Sequence, residues 1–390
     1  MLFYKRNKYD IVDTIIKILS WAMVTNMEIN ADIEMLRLGL DEDEKADYRK
    51  RPAHYGKSIH DFLNESRKRA KLDSCYICKK QCTSFCNSHS VPQFCLKQVA
   101  KSGKVYFTGM QSEVPFFGED SGINSSGTFK LICRECDSRL FQDYENPDAY
   151  DDKPNGSMLA EIALKNYLQM ISKRLQEKKL YELMEERWPD RCDVSGQLNI
   201  IELDLLEYEK EFQRAKEAVL KKHEDWYHLC YYAKLDYIVP FAMQSAIDII
   251  CDFEGNIIND IFNMSPSYHT KEIHLAIFPL RTSSVVILFH DSREKRYRKF
   301  YRQLNKLEYE DQLAAINYIA HSYCENVFLS KNIDENILND KNFKDMCKQT
   351  VIAVSTNPCG DALSAARQDY DLSKRKTVPN LLSRENALNV

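Results

Sequence analysis

Two C-x-x-C pairs, Cys75-Tyr76-Ile77-Cys78 and Cys133-Arg134-Glu135-Cys136, constrain this chain more than any other feature. Tetrahedral zinc is satisfied by four soft ligands, so two such pairs in a reducing compartment make one four-thiolate site. Closing that site draws two distant segments together, and everything between them must fold around the junction. A local set, Cys75, Cys78, Cys82 and Cys86, is the competing assignment. The distant pair is preferred because C-x-x-C at a helix start is a common closing half of such sites, and a helix is predicted over 134–144. Cys82 and Cys86 are then spare thiols or ligands of another metal.

Thirteen cysteines would suggest disulfides only in an exported protein. The opening Met1-Leu2-Phe3-Tyr4 runs into Lys5-Arg6 and a charged segment without a small-residue cleavage site, so a cytoplasmic location and free or metal-bound thiols are expected. No run reaches the roughly 20 apolar residues a membrane span needs; the best stretch, 11–27, is broken by Asp13 and Lys17. The net charge of −4 argues against a uniformly basic nucleic-acid binder but permits local basic patches. At 390 residues the chain can hold two or three cores.

The expected class is α+β: a cysteine-built module embedded in a helical protein with a small antiparallel sheet. Five regions follow from the patterning: a helical N-terminus (1–72), the cysteine module (73–150), a helical hairpin (151–230), an antiparallel sheet with helices (231–360) and a polar tail (361–390). Val12, Ile15, Ile16, Leu19 and Met23 predict a packing helix over 9–40, with an interfacial membrane helix as the sharper alternative. Residues 41–50 form a charged linker or helix surface. Arg67, Lys68, Arg69 and Lys71 place positive charge just before the first cysteine pair, either solvated or available to phosphate. Leu164, Leu168, Ile171 and Leu175 mark a long helix stopped at Trp188-Pro189-Asp190. Leu205, Tyr208, Phe212, Ala215 and Val219 mark its partner, and no residue in the pair asks for a catalytic role.

Runs 246–253 and 256–262 flank Glu254-Gly255, and runs 273–280 and 284–290 flank Arg281-Thr282-Ser283, giving two predicted hairpins. His274 and His290 in these strands read as structural. Helices follow over 293–307 and 311–323. In the first, Tyr297, Phe300, Tyr301 and Leu304 make the core stripe and Lys295, Lys299, Arg302 and Lys306 a basic one, which is solvated or a second contact for nucleic acid or an acidic partner. Beyond Gly360 the tail is expected to be mobile or ordered by a partner.

Between the cysteine pairs lies Ser88-His89-Ser90-Val91-Pro92-Gln93-Phe94, and after them Asp137-Ser138-Arg139-Leu140-Phe141-Gln142-Asp143-Tyr144-Glu145. From Cys75 to Glu145 the chain resembles the HNH endonuclease family, a treble-clef or ββα-metal fold, and more narrowly the zinc-containing HNH proteins of bacterial anti-phage defence. The resemblance implies a structural zinc on Cys75, Cys78, Cys133 and Cys136, and a catalytic magnesium or manganese ion at the scissile phosphate. It implies His89 as general base and Asp137 as the last metal-binding side chain, with Glu145, or Asp143 in its place, adding a carboxylate. The substrate would be DNA, or alternatively RNA, and a partner subunit such as an ATPase would supply targeting.

This chain departs from that pattern. Ser88 stands where the family has an Asp or His ligand, the middle Asn is replaced by Thr128 and Phe129 with Asn124 upstream, and the insert 97–127 is long. The rival reading is a non-catalytic, zinc-stapled nucleic-acid- or protein-binding module, with His89 a structural or fifth-ligand residue; a redox-sensing cluster through Cys82 or Cys86 is the third.

Overall fold

The computed structural model describes residues 61–388 except 63, 108–120, 188, 190–193, 264, 266, 325 and 349–361. The helix expected over 9–40 and the charged stretch 41–50 lie outside the described residues. The chain is a mixture of helix and antiparallel sheet with a four-cysteine cluster.

After the first cysteine pair come β1 (Ser88–His89), α1 (Gln93–Val99), β2 (Lys104–Phe107), β3 (Ser121–Gly122), β4 (Thr128–Phe129) and α2 (Arg134–Leu140). β1 and β4 pair antiparallel, with Ser88 opposite Phe129 and His89 opposite Thr128. The helix predicted over 134–144 stops at Leu140, where Phe141 leaves helical geometry at φ −127° and ψ 36°. The chain beyond it turns inward, burying Phe141 and Tyr144.

Two long helices follow, α3 (Gly156–Arg187) and α4 (Ser195–Lys221), packed as the predicted hairpin. Tyr208, Phe212, Ala215 and Val219 of α4 are buried, as their spacing requires. The hairpin closes tightly on itself. A Cβ on Gly156 would lie 2.0 Å from the Glu224 carbonyl oxygen, so only glycine fits where α3 begins. From Gly156 to Ser172 every residue of α3 is buried, because this half runs between α4, the cysteine module and the sheet.

The remaining strands are β5 (Tyr227–Leu235), β6 (Phe241–Ile247), β7 (Ile273–Pro279), β8 (Ser284–Asp291) and β9 (Val327–Leu329). With β2 and β3 they make a seven-stranded sheet in the order β3-β2-β9-β6-β7-β8-β5, antiparallel throughout. Strands from the long insert between the cysteine pairs therefore extend a sheet whose other members lie far along the chain. The predicted β7–β8 hairpin forms. The other does not: only an isolated bridge joins Cys251 to Ile257. Asp252 accepts hydrogen bonds from the N–H groups of Glu254 and Asn256, both 2.9 Å, and this local turn replaces a ladder.

Side chains alternate across the sheet and feed two cores. Ala242, Ala246, Ala276, Phe278, Val285 and Ile287 face α1, α3 and the cysteine module. Phe241, Met243, Ile247, Leu275, Ile277, Val286 and Leu288 face α5 (Arg298–Leu304) and α6 (Tyr309–Tyr323). On α5, Tyr297 at the N-cap, Phe300 and Leu304 are buried as expected. Of the basic stripe, Lys299 pairs with Glu254 at 2.6 Å, and Lys295, Arg302 and Lys306 are exposed.

The short helices α7 (Glu335–Asn339), α8 (Lys341–Lys348) and α9 (Ala362–Asp369) end the fold. The tail expected to be mobile or partner-ordered is instead packed over 362–388. Tyr370, Leu372, Leu381 and Leu382 join the second core, and the Leu388 N–H donates to the Ile238 carbonyl at 2.8 Å. Apolar residues there are sparse, but Ala366, Tyr370, Leu372, Leu381 and Leu382 are buried, and Leu363 and Val378 pack partly buried against that core. No helix among the described residues is long and apolar enough to cross a membrane.

Candidate metal centre and ionic cluster

The first knuckle is built by backbone. Cys75 N–H donates to the Lys80 carbonyl and Lys79 N–H to the Cys75 carbonyl, both 2.8 Å, with Lys79 in the left-handed region at φ 61°. The second knuckle is the start of α2, where the Cys133 sulfur caps the helix by accepting from Cys136 N–H. The two are joined by Tyr76 N–H to the Leu131 carbonyl at 2.9 Å. As a result the sulfurs of Cys75, Cys78, Cys133 and Cys136 all lie within 4.8 Å of one another, with Cys78 and Cys133 3.9 Å apart. A tetrahedron with Zn–S of about 2.3 Å has edges of about 3.8 Å, so the set is the right size for zinc. Burial opposes the Cys75 thiolate, but the N–H groups of Cys78, Cys133 and Ile77 outweigh it and bring the thiol down to about 7. The residues fit the ion in number, softness and spacing.

Cys82 and Cys86 stand outside this set. The Cys82 thiol donates to the Lys80 carbonyl at 3.3 Å. The Cys86 thiol donates to Asp137 Oδ2 at 3.3 Å, and burial together with that carboxylate raises it to about 11. Of the two assignments left open by spacing, the distant pair is the one the fold assembles.

His89 lies half-buried on β1, its Nε2 2.9 Å from the Ile123 carbonyl oxygen. A carbonyl only accepts, so Nε2 carries the proton and Nδ1 keeps the lone pair. Burial, helped by the charge of Lys165, lowers the imidazole pKa against the opposing pull of Ile123 and Asp137. The ring is therefore a neutral base at neutral pH. The backbone beneath it is tight: Ser90 N–H donates to the Gly127 carbonyl at 2.8 Å, and a Cβ on Gly127 would meet Phe328 and Ser90 within 2.7 Å. With φ at 61°, Gly127 has no substitute.

Asp137 and Glu145 do come together, around a residue that sequence reasoning passed over. Lys165 of α3 is fully buried, and its Nζ donates to Ser88 Oγ at 2.9 Å and to Asp137 Oδ1 at 3.1 Å. Glu145 Oε1 is 3.6 Å away, and the Phe141 ring centroid lies 3.7 Å from the ammonium. Ser88 Oγ in turn donates to Asp137 Oδ1 at 2.7 Å. Burial would raise the Asp137 pKa, yet Lys165, Ser88 and Cys86 together lower it. For Glu145 burial wins and its pKa is raised, with Lys165 only partly offsetting. Asn124, the upstream Asn, accepts from Gln93 at 3.0 Å. No residue of the long helix asked for a catalytic role by its spacing, yet Lys165 of α3 joins this cluster. The available signal was a lysine closing the mostly apolar stretch Met158-Leu159-Ala160-Glu161-Ile162-Ala163-Leu164, where a charge needs partners.

Elsewhere, His274 is buried against Asn166 at 3.0 Å and stacked on Phe289, with burial lowering it to about 4, and His290 contacts the Asp291 carbonyl at 2.6 Å. A cavity of about 240 Å³ is lined by Tyr167, Lys210, Glu211, Glu272, Asp291 and Arg293 among others, and Arg293 pairs there with Glu211 at 3.1 Å and Asp291 at 2.8 Å. No residue of the cysteine module lines it.

No family model, curated protein or solved structure matches this chain.

Proposed function

We propose that the cysteine module is a zinc-braced phosphodiester hydrolase centre of HNH type, acting on DNA, with His89 as general base. One observation carries this reading: the Ile123 carbonyl fixes the His89 ring through Nε2 and leaves Nδ1 as a lone-pair base, on the strand that also presents Ser88 to the Asp137–Glu145 cluster. In this reaction water gives its proton to His89 Nδ1 and its oxygen forms the new P–O bond. The ester P–O bond breaks, and the leaving oxygen takes a proton from solvent. Zinc on the four thiols would hold β1, β4 and α2 in register and take no part in the chemistry. Exposed Lys79, Lys80, Lys130, Arg134 and Arg139 surround the two knuckles and supply phosphate-directed charge. Recognition of a target, and any role in phage defence with a partner ATPase, would fall to the rest of the chain or the partner.

The catalytic magnesium or manganese ion does not fit the cluster as built. Lys165 Nζ already stands between Ser88, Asp137 and Glu145, and the second Asp137 oxygen takes the Cys86 thiol. This favours one alternative, a zinc-stapled nucleic-acid-binding module without catalysis. Nicking of supercoiled plasmid by the zinc-loaded full chain separates the two. The hydrolase reading expects wild-type nicking that falls by roughly 10²–10⁴ in His89→Ala. Salt-sensitive DNA retention with no nicking in either protein would leave the binding module.

A further inference from the structure

Lys165 sits where the resemblance calls for a divalent ion. Resting on the hydrolase reading, we infer that its ammonium replaces that ion: it is a positioning residue that holds Asp137 and Glu145 toward one point, so the centre takes up no magnesium or manganese and works without either. Three features of the structure support this. The ammonium contacts the three side chains that would have to ligate the ion, Ser88 Oγ at 2.9 Å, Asp137 Oδ1 at 3.1 Å and Glu145 Oε1 at 3.6 Å. A magnesium ion needs near-octahedral oxygen at about 2.0–2.1 Å and keeps several waters, a shell that cannot share this space with a cation already seated there.

The ammonium also has nowhere to go. The side chain is wholly inaccessible, and the rings of Phe141 and Tyr144 lie 3.7 and 5.1 Å from Nζ. Its helix is pinned on either side of it. Asn166 contacts His274 and receives a hydrogen bond from Gln244 at 2.9 Å, while Glu161 accepts from Tyr144 N–H at 2.9 Å. Finally, the carboxylates are more open than the cation: the Asp137 side chain is 20% exposed and that of Glu145 37%. A cluster that meets solvent through its acids and already holds a cation at its centre leaves the divalent ion no seat.

Uptake of manganese by the zinc-loaded full chain, followed by the loss of the free-ion electron paramagnetic resonance signal, tests this without reference to cleavage. Wild type is expected to match Glu145→Gln, with no additional manganese bound. Lys165→Ala should gain one manganese per chain, lost again when Asp137→Asn is added, and Lys165→Arg should gain none. One manganese on wild type that Glu145→Gln abolishes would overturn the inference, as would a folded Lys165→Ala that binds no more than wild type. Should Lys165→Ala fail to fold, the comparison of wild type with Glu145→Gln still decides. Absence of plasmid nicking would count against the hydrolase reading and leave the manganese result standing on its own.

Discussion

Helix α3 carries two buried cations, Lys165 and Arg174, and they solve the same problem differently. Arg174 is 2% exposed, and its partners Glu177 and Asp204 are sealed completely, with Arg174 to Asp204 at 3.0 Å. All three charges belong to the α3–α4 hairpin, and nothing in that cluster meets solvent. Lys165 is as deeply buried, but its acids come from the cysteine module and reach the surface. A sealed ion cluster fixes how two helices dock. One that is buried at its cation and open at its carboxylates can fix geometry and still face a ligand. Burial alone does not distinguish a structural charge from a functional one; the exposure of its partners does.

Removing the zinc set should have the largest effect and test how separate the two clusters are. Cys136→Ser is expected to take zinc content from one per chain to none. Structural zinc in small domains contributes on the order of 10 kcal/mol, so 73–150 should lose protection in hydrogen exchange and Asp137 should leave Lys165. The amides around Arg174 should stay protected; if they open to the same degree, the two clusters form one cooperative unit and the contrast fails.

A direct comparison of the cations comes next. Arg174→Met removes the buried guanidinium from two sealed carboxylates and should cost about 3–5 kcal/mol in urea denaturation. Lys165→Met should cost less, about 1–3 kcal/mol, because Asp137 and Glu145 can rehydrate. Equal losses would mean that the Lys165 cluster is as closed as its neighbour.

The smallest effect is a pH slope. Burial raises Glu161, one turn before Lys165, to about 7, only partly opposed by the Tyr144 N–H. Because the folded pKa lies above the ordinary 4.5, the native state holds the extra proton, and wild-type stability should fall as pH rises from about 4.5 to about 7. Glu161→Gln should flatten that fall while its carbonyl still accepts from Tyr144. Denaturation midpoints at either end of the window measure it, and an unchanged slope would place more water around Glu161 than its burial implies.

The elements legible in the sequence were those with a local code. C-x-x-C spacing identified all four sulfurs of the cluster, because a knuckle needs only a few residues and a specific chemistry. Helical periodicity found α3, α4 and α6, and the β7–β8 hairpin followed from two apolar runs around a short polar turn. The 246–262 hairpin failed because Asp252 makes a local turn that competes with strand pairing. The helix expected to 144 failed because Phe141 and Tyr144 have a core to enter, and the packed tail was missed because its few apolar residues show no period. His89, Asp137 and Glu145 were named from the resemblance, as was Ser88, but Ile123 and Lys165, which hold them, were not.

What the chain's own letters determined is the metal-ready quartet of thiols and the longer helices α3, α4 and α6, since each depends on spacing within its own segment. Only the tertiary structure decided that strands of the insert join a sheet made by the far end of the chain, and that an ammonium from α3 enters the carboxylate cluster. The reason is physical: a buried charge is defined by what surrounds it, and the surroundings of Lys165 come from 77 residues upstream at Ser88, 28 at Asp137 and nearer still at Glu145.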